Sequence, residues 1–512
     1  MKAVAALWRA TAGVAGARLL LGLLAAMFVL RLATLGSYPL MDTSEARYGE
    51  IARVMLVTGN LTTPQEIPGT PFWAKPPLYA WMSVASMRVL GVDEFALRLP
   101  SLLCALAVAL LSAHWAAGMA ARRAPQPGAV APLWAGLIAA ALLSTGLGFF
   151  AAAGAVMTDP GLAVCSTAML AAFFQVVIRG SRSAGWRFGF FAAAGLGMLA
   201  KGPVVLLYAG LPIGLWTLGR RQVGAVWSAL PWLGGSALAA LICVPWYLAA
   251  EHATPGFLNY FLLGEHVMRF LKPGWRGDLY GTAHAEPLGM IWVYFAAALG
   301  LQAALAVAAA TSALRARLGG SAAPLAAGDG AQGYLLLAVL VPVAFFSFAG
   351  NIIWTYVLPV LGPLAVLLAD FLAPRMGVPA WRRALAVTLG GSAAALLAVM
   401  VLLVPPHVDA HSSAGLVAQW RARQDSVPGR LVYLGRKAPA SLRFYAQGSV
   451  PALADPAQAL AGVGPGQDGY VALAPPGIAD FTTYAASRQP PLVVQTIAQN
   501  KDLAIAWVHV AR

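Results

Sequence analysis

Charged residues are scarce in this 512-residue sequence: Asp, Glu, Lys and Arg make up 10%, whereas hydrophobic residues make up 60%. The mean hydropathy of +0.72 excludes a soluble globular protein. Cysteine is also rare, and Cys104, Cys165 and Cys243 all lie in apolar stretches, so no disulfide framework is expected. The sequence therefore predicts a polytopic α-helical membrane protein.

Acidic residues are the scarcer charge, with 19 Asp and Glu against 34 Lys and Arg and a net charge of +15. In a soluble protein this excess would suggest nucleic acid as a partner. Here the basic residues stand at the ends of apolar runs, so they indicate membrane topology and no nucleic-acid partner is expected.

About eleven apolar segments precede residue 405 and approach the roughly twenty residues that a helix needs to cross the hydrocarbon layer. They cover residues 17–36, 96–118, 132–151, 160–178, 188–200, 203–218, 227–249, 287–310, 333–349, 352–373 and 384–404. The first lacks the small-residue cleavage site of a removed signal peptide, so we expect it to remain as a span.

The short loops predict the orientation of the chain, because basic residues collect on one side. Those residues are Lys2, Arg9, Arg18, Arg122, Arg123, Arg179, Arg182, Arg187, Arg220, Arg221, Arg315, Arg317, Arg375, Arg382 and Arg383. We expect that side, with the N-terminus, to be cytoplasmic. The long loops over residues 37–95 and 250–286, with most carboxylates of the membrane region, then face outward.

Beyond Pro405 the hydrophobic runs shorten to strand length. Strands are predicted at 430–435, 470–474, 492–496 and 503–510, with short helices at 440–446 and 478–485. The expected organisation is a transmembrane domain over residues 1–405 and a small extracytoplasmic α/β domain over residues 406–512.

The loop over residues 37–95 contains two helical patterns, at 42–58 and 78–90. Their Trp, Tyr and Arg residues suit a membrane interface, so we expect two interfacial helices. Asp42 and Glu45 share one end and one face of the first helix, either as site carboxylates or as a capping box.

Two lysines are candidate phosphate ligands. Lys75 immediately precedes a helix that starts with proline, where a cation and exposed N–H groups suit a phosphate; the alternative is a lysine that reaches lipid headgroups. Lys201 lies about thirteen residues beyond the cytoplasmic Arg187, a rise of roughly 20 Å, so we expect it to line a recessed cavity within the membrane. Asp159 begins a span, either as a site carboxylate or as a helix cap.

The loop over residues 250–286 supplies further candidates. Glu265, His266 and His284 are candidate ligands for a divalent metal ion such as zinc, with a solvated loop as the alternative. Arg269 and Tyr356 are candidate phosphate contacts, with interface anchoring as the alternative.

An ordered set of motifs completes the pattern. They are Glu45-Ala-Arg-Tyr48 with Glu50-Ile51, Lys75-Pro76-Pro77-Leu78, the run from Gly91 to Pro100, Asp159-Pro160, Lys201-Gly202, Glu265-His266 with Arg269-Phe270, and Thr355-Tyr356-Val357-Leu358. Together they resemble the bacterial aminoarabinose transferases and the wider protein O-mannosyltransferase-like superfamily of membrane glycosyltransferases, the GT-C class.

The resemblance implies a GT-C fold of about 11 to 13 transmembrane helices. It also implies an inverting glycosyltransferase of a bacterial inner membrane that moves a sugar from polyprenyl phosphate to lipid A, lipopolysaccharide or another periplasmic acceptor. Donor-phosphate contacts would be Lys75, Arg47, Lys201, Arg269 and Tyr356. Catalytic carboxylates would be Asp42, Glu45 and Asp159, and the one cofactor considered is a divalent metal ion.

The sequence departs from the family pattern at two positions. Ser44 replaces the first acid of an Asp-Glu pair before the Arg-Tyr motif, so Asp42 or Glu45 would have to substitute for it. Ala74 stands where some members have a metal-binding Glu before Lys-Pro. The departures leave a non-catalytic scaffold of the same fold open as an alternative. A flippase for a lipid-linked sugar is a second alternative, because it would also be polytopic with a charged cavity.

Overall fold

A computed structural model describes residues 15–123, 131–280, 284–319 and 330–510. Its helices are α1 Ala15–Thr34, α2 Ser44–Thr58, α3 Leu78–Leu90, α4 Glu94–Arg123, α5 Ala131–Thr145, α6 Leu147–Ala152, α7 Asp159–Phe173, α8 Ala184–Lys201, α9 Leu211–Gly219, α10 Val223–Ala229, α11 Trp232–Ala253, α12 Phe257–Asn259, α13 Arg269–Leu271, α14 Met290–Leu299, α15 Gln302–Leu318, α16 Ala331–Phe346, α17 Leu358–Leu372, α18 Pro379–Ala398, α19 Val404–Ala410, α20 Ala414–Gln424, α21 Ala440–Tyr445, α22 Pro456–Ala459 and α23 Ile478–Ala486. Helical segments of wider or tighter pitch cover Phe174–Ile178, Leu206–Gly210, Tyr260–Met268, Trp354–Val357, Ala373–Arg375, Val399–Leu403 and Pro475–Gly477. The N-terminal residues, whose side of the membrane was predicted, lie outside these ranges.

Six helices within the described ranges are long and apolar enough to cross a membrane. They are Gly16–Thr34, Glu94–Arg122, Asp159–Ile178, Trp232–Ala253, Trp354–Arg375 and Pro379–Ala410. The pair α14 and α15, bent by 105°, would add a seventh span, and three shorter apolar helices begin at Pro132, Leu206 and Ala331. Each predicted apolar segment overlaps one or more helices, and the chain is a multi-pass membrane protein.

The two predicted helices of the first long loop are present as α2 and α3. Glycine ends both, because Gly59 and Gly91 have positive φ angles that other residues rarely adopt. A short antiparallel hairpin, β1 Gln65–Ile67 and β2 Thr70–Pro71, connects them.

The C-terminal residues form a five-stranded mixed sheet from β3 Gly429–Leu434, β4 Ala452–Leu453, β5 Asp468–Leu473, β6 Leu492–Gln499 and β7 Ala504–Val510. The strand order is β4-β3-β5-β7-β6, with β3 parallel to both of its neighbours and β7 antiparallel to both of its own. The predicted helices at 440–446 and 478–485 correspond to α21 and α23.

The sheet region packs against the first long loop. Ala440 and Phe444 of α21 share a buried hydrophobic cluster with Leu40, Ile51 and Met55. The neighbouring Tyr445 hydroxyl accepts a hydrogen bond from the Leu40 N–H at 2.6 Å and donates one to the Glu94 carboxylate at 2.7 Å. These contacts join α21 to the residues around α2, so the C-terminal sheet region packs directly on the first long loop.

Candidate active site

A cavity of about 240 Å³ opens between the residues that precede α3, the end of α8, the Tyr260–Met268 segment and the Trp354–Val357 segment. We call it the central cavity. Its polar lining is Lys75, Lys201, Glu265, His266, Arg269, Asn351 and Tyr356. Its apolar lining includes Val204, Leu207, Phe270, Phe345 and Phe346. One cavity thus combines a charged wall with an apolar wall.

A smaller chamber of about 100 Å³ adjoins the central cavity and shares several lining residues with it, including Lys75, Lys201 and Arg269. We call it the inner chamber. It adds Ser44, Arg47, Tyr48, Asp159 and His284 to the lining. The two spaces together contain every residue predicted to contact the donor phosphate.

Lys201 and Asp159 form a buried ion pair in this site. Lys201 is the last residue of α8, which ends there because Gly202 has a φ angle of +86° and Pro203 follows. Its ammonium lies 2.5 Å from the Asp159 carboxylate and 4.7 Å from the centre of the Tyr356 ring. Lys201 is 9% exposed and lines the central cavity; its depth in the membrane stays a prediction. Asp159 pairs with it instead of acting only as a helix cap.

Glu265 holds two of the candidate phosphate ligands. Its carboxylate lies 2.9 Å from the Lys75 ammonium and 2.9 Å from the Arg269 guanidinium. Arg269 is also 3.3 Å from Asp278, and the Tyr260 hydroxyl donates to Glu265 at 3.1 Å. Burial raises the pKa of Glu265, but the two cations outweigh it and lower the pKa to about 2. Glu265 is therefore an ionised anchor for Lys75 and Arg269.

The predicted metal ligands are not arranged as a metal site, which corrects that expectation. The ring nitrogens of His266 lie 2.7 Å from the Phe261 carbonyl and 3.3 Å from the Lys201 carbonyl, while Glu265 is occupied by cations. Within the described ranges no three His, Cys, Asp or Glu side chains are grouped to hold a metal ion. Burial lowers the pKa of His266 below its usual range, so its ring is neutral at pH 7. These residues do not fit a divalent ion, and no chemical step is assigned to one.

The first two predicted catalytic carboxylates line neither the central cavity nor the inner chamber. Glu45 accepts hydrogen bonds from the fully buried Arg98 at 2.8 and 2.9 Å and from the Met41 N–H at 3.3 Å. Asp42 accepts hydrogen bonds from the backbone and hydroxyl of Ser441 in α21. Burial raises the pKa of Asp42 despite those bonds. Asp42 and Glu45, at the start of α2, are therefore both occupied by contacts with neighbouring residues. Ser44, which lies between them in the sequence, lines the inner chamber.

Arg47 lies at the edge of the site. Its Nη1 atom donates to the Tyr280 carbonyl at 2.9 Å, and its Nε atom lies 3.7 Å from Glu66. The Tyr280 hydroxyl in turn accepts from the Trp73 N–H at 3.0 Å, so this contact joins both long loops next to Lys75.

Asn351 and Tyr260 also support the site, although no sequence pattern indicated either residue. The Asn351 amide donates to the carbonyls of Arg269 and Lys272 at 2.6 and 3.1 Å and so fixes the loop that carries Arg269. Tyr260 supports Glu265 directly. A lone Asn or Tyr in an apolar segment carries no spacing signal, because its partners are distant in sequence.

Several known proteins are similar to this chain in sequence. Residues 16–261 match the family of the dolichyl-phosphate-mannose-protein mannosyltransferases. An undecaprenyl phosphate-alpha-4-amino-4-deoxy-L-arabinose arabinosyl transferase of Sodalis glossinidius is 32% identical over 377 residues, which cover 70% of this chain and 59% of that protein. A protein from Pseudomonas paraeruginosa, also named an undecaprenyl phosphate-alpha-4-amino-4-deoxy-L-arabinose arabinosyl transferase, is 29% identical over 436 residues. The match covers 78% of this chain and 71% of that protein.

Solved structures show the same fold. The crystal structure of ArnT from Cupriavidus metallidurans in the apo state superimposes with a TM-score of 0.70 at 20% identity and covers 96% of this chain and 98% of that one. The structure of the same protein bound to undecaprenyl phosphate gives a TM-score of 0.67 at 20% identity, covering 95% and 97%. The chain therefore has the fold of ArnT, and its N-terminal half is similar to the protein O-mannosyltransferase family.

Proposed function

We propose that this protein is an inverting glycosyltransferase that moves a sugar from a polyprenyl-phosphate donor to lipid A, lipopolysaccharide or another periplasmic acceptor. The amphipathic central cavity carries the proposal. A phosphate can lie against Lys75, Lys201 and Arg269 while its isoprenoid chain leaves along the apolar wall, and no water-soluble sugar nucleotide needs such a wall.

In the proposed step an acceptor oxygen attacks the anomeric carbon as the bond from that carbon to the phosphate oxygen breaks. Polyprenyl phosphate departs with the bonding electrons, and a direct displacement inverts the anomeric centre. Lys75, Lys201 and Arg269 stabilise the negative charge of the departing phosphate, with Tyr356 and Arg47 at the edges of the site. Polyprenyl phosphate leaves readily, so strong acid assistance is unnecessary.

An acceptor phosphate suits this site better than an acceptor hydroxyl. A hydroxyl needs a base within hydrogen-bond reach, whereas a phosphate oxygen is already ionised. Asp42 and Glu45 are committed to packing contacts, and Asp159, the third predicted catalytic carboxylate, is paired with Lys201. We therefore assign Asp159 to positioning Lys201. The names of the relatives support aminoarabinose linked to undecaprenyl phosphate as the donor.

The proposed setting is a bacterial inner membrane with the N-terminus in the cytoplasm. The central cavity, the interfacial helices α2 and α3 and a C-terminal α/β domain over residues 406–512 would then face the periplasm. The transmembrane domain would cover residues 1–405 and include about 11 to 13 membrane helices, several of them too short to cross alone.

The test is mass spectrometry on purified protein incubated with undecaprenyl phosphate-aminoarabinose and lipid A in lipid nanodiscs. We expect released undecaprenyl phosphate and lipid A heavier by one aminoarabinose. Lys75→Ala should lower both products at least tenfold, and the exposed Lys272→Ala is the matched control. Intact donor in every sample would contradict the proposal, and movement of intact donor across proteoliposomes would favour a flippase.

A further inference from the structure

A second large cavity lies between α1, α4, α5 and α6, and among the described residues it shares no lining residue with the central cavity or the inner chamber. We call it the α1–α4 groove, and its volume is about 420 Å³. Small residues of α4 and α5, among them Ala105, Ala109 and Gly136, leave room for it. Phe28 and Leu106 line it and are exposed, so the groove opens at the surface of the helix bundle, where a membrane protein meets lipid.

The lining of the α1–α4 groove combines apolar walls with one cation. Arg31 is the single charged residue among the described residues that line it, and apart from the hydroxyl-bearing Ser144 the others are apolar. Arg31 stands in the last turn of α1, and the groove follows this helix back to Leu21. A helix rises about 15 Å over the ten residues from Leu21 to Arg31, which is half of the roughly 30 Å hydrocarbon layer. The groove therefore has about the length of one leaflet, with its cation at one end.

Arg31 is buried without an anionic partner. It is 4% exposed, and within the described ranges no carboxylate lies at ion-pair distance from its guanidinium. Its acceptors are neutral: the Tyr38 hydroxyl at 3.1 Å, the Ala151 carbonyl at 3.3 Å, the Thr34 hydroxyl at 3.4 Å and the Met400 sulfur at 3.6 Å. Its Nε atom is buried and has no hydrogen-bond partner in this part of the chain. A buried charge is costly unless it is paired, so this guanidinium lacks the group that would stabilise it most.

The other buried arginines show what Arg31 lacks. In the described part of the chain Arg53, Arg98 and Arg443 are also buried, and each forms an ion pair with a glutamate. In place of a carboxylate, Arg31 has the ring of Phe150, whose centre lies 4.9 Å from the guanidinium, and the negative end of the α1 dipole. These contacts stabilise a cation but leave its charge uncompensated. An anion that reaches Arg31 along the groove would supply charge and acceptors together.

We propose that the α1–α4 groove binds one anionic phospholipid, with the lipid phosphate against Arg31 and one acyl chain along the apolar wall. The single cation complements the net negative charge of such a headgroup, and the length of the groove suits an acyl chain confined to one leaflet. A polyprenyl chain, which is several times longer, would extend beyond Leu21, and a free phosphate would leave the apolar wall uncovered. The groove is separate from the central cavity, so the inference does not depend on the transferase function.

The bound lipid would also stabilise the start of the first long loop. Arg31 donates to the Tyr38 hydroxyl, which donates to the Gly154 carbonyl at 3.0 Å. The Tyr38 carbonyl accepts a hydrogen bond from Arg98 at 2.7 Å, and Arg98 in turn pairs with Glu45 at the start of α2. A lipid phosphate that fixes the guanidinium therefore stabilises Tyr38 and the loop that follows it.

Native mass spectrometry of the full chain tests the proposal, with phosphatidylglycerol and phosphatidylcholine added together in equal amounts to the detergent-purified protein. We expect the wild type to retain one phosphatidylglycerol about fivefold more often than phosphatidylcholine. Arg31→Gln should lose this preference, because glutamine keeps an amide donor near Tyr38 and removes the charge. Arg88→Gln is the matched control, since Arg88 is an exposed arginine at the end of α3, and it should retain the lipid as the wild type does.

Ala109→Phe tests the apolar part of the site with Arg31 in place. Ala109 lines the groove, and the larger ring takes the space of the acyl chain, so retention of phosphatidylglycerol should fall about fivefold. Added phosphatidylglycerol should raise the melting temperature of the wild type and not those of the two groove variants. Each variant tests the site independently, so failure of one to fold leaves the other decisive. Retention at the wild-type level in either variant would overturn the inference; so would displacement of the lipid by millimolar inorganic phosphate or by an equal amount of undecaprenyl phosphate.

Discussion

The ammonium of Lys201 and the carboxylate of Asp159 lie 2.5 Å apart, although the residues belong to different helices. Both are buried, and the ring of Tyr356 covers Lys201. A cation fixed in this way needs little reorganisation when a phosphate develops charge, which is the basis of electrostatic catalysis. The pair therefore links the architecture of the bundle to the proposed chemistry.

Substitution of Lys201 should lower both the stability of the protein and its sugar transfer, and a second substitution should restore only the stability. Lys201→Ala leaves Asp159 buried without a partner, a loss that typically costs about 3 to 5 kcal/mol. We expect Lys201→Ala to lower the melting temperature and to reduce transfer at least a hundredfold. Adding Asp159→Asn should restore much of the stability without restoring transfer, because the phosphate ligand is still missing. Thermal unfolding and product formation are measured on the same preparations, and recovery of transfer in the double variant would refute the role of Lys201.

Arg269 offers a test of geometry at constant charge. Its guanidinium contacts both Glu265 and Asp278, and a lysine cannot form the same fork. Arg269→Lys should lower kcat/KM for the donor about tenfold, equivalent to about 1.4 kcal/mol. Arg276→Lys is the matched control, since Arg276 is an exposed arginine of the same loop. Equal kinetics for the two variants would show that charge alone suffices at position 269.

The sequence was sufficient to predict several of these features because they depend on local patterns. The distance of Lys201 from Arg187 and the break at Gly202 predicted a recessed lysine, and the structure shows it buried beside Asp159. Short hydrophobic runs likewise located four of the five strands of the C-terminal sheet, and the two-residue β4 was not predicted.

Features that depend on distant contacts could not be predicted. Glu265 and His266 have the residue types of a metal site, but Lys75, which pairs with Glu265, lies in another loop of the chain. In the same way, the spacing of Asp42 and Glu45 fixed their common helix end but not the neighbours that each meets there. Only the folded structure shows that Asp42 contacts Ser441 and that Glu45 contacts Arg98.

Glu45 gives a prediction about stability. Arg98 is fully buried and Glu45 is its carboxylate partner, so Glu45→Gln leaves a buried guanidinium without compensating charge. The expected cost is about 3 to 5 kcal/mol of unfolding free energy. The exposed Asp480→Asn should stay within about 0.5 kcal/mol of the wild type. Thermal unfolding with tryptophan fluorescence measures both, and unaltered stability of Glu45→Gln accompanied by lost transfer would return Glu45 to the list of catalytic candidates.

Glu265 predicts how stability depends on acidity. Its pKa is lowered from the ordinary 4.5 to about 2 in the folded protein, so its ion pairs contribute fully above about pH 4.5. The contribution, about 3 kcal/mol, is lost as the pH falls from 4.5 towards 2 and the carboxylate is protonated. The melting temperature of the wild type should therefore fall more steeply across this window than that of Glu265→Gln, which starts lower at pH 6. Parallel curves for the two proteins between pH 6 and pH 2.5 would contradict an ionised Glu265 that anchors Lys75 and Arg269.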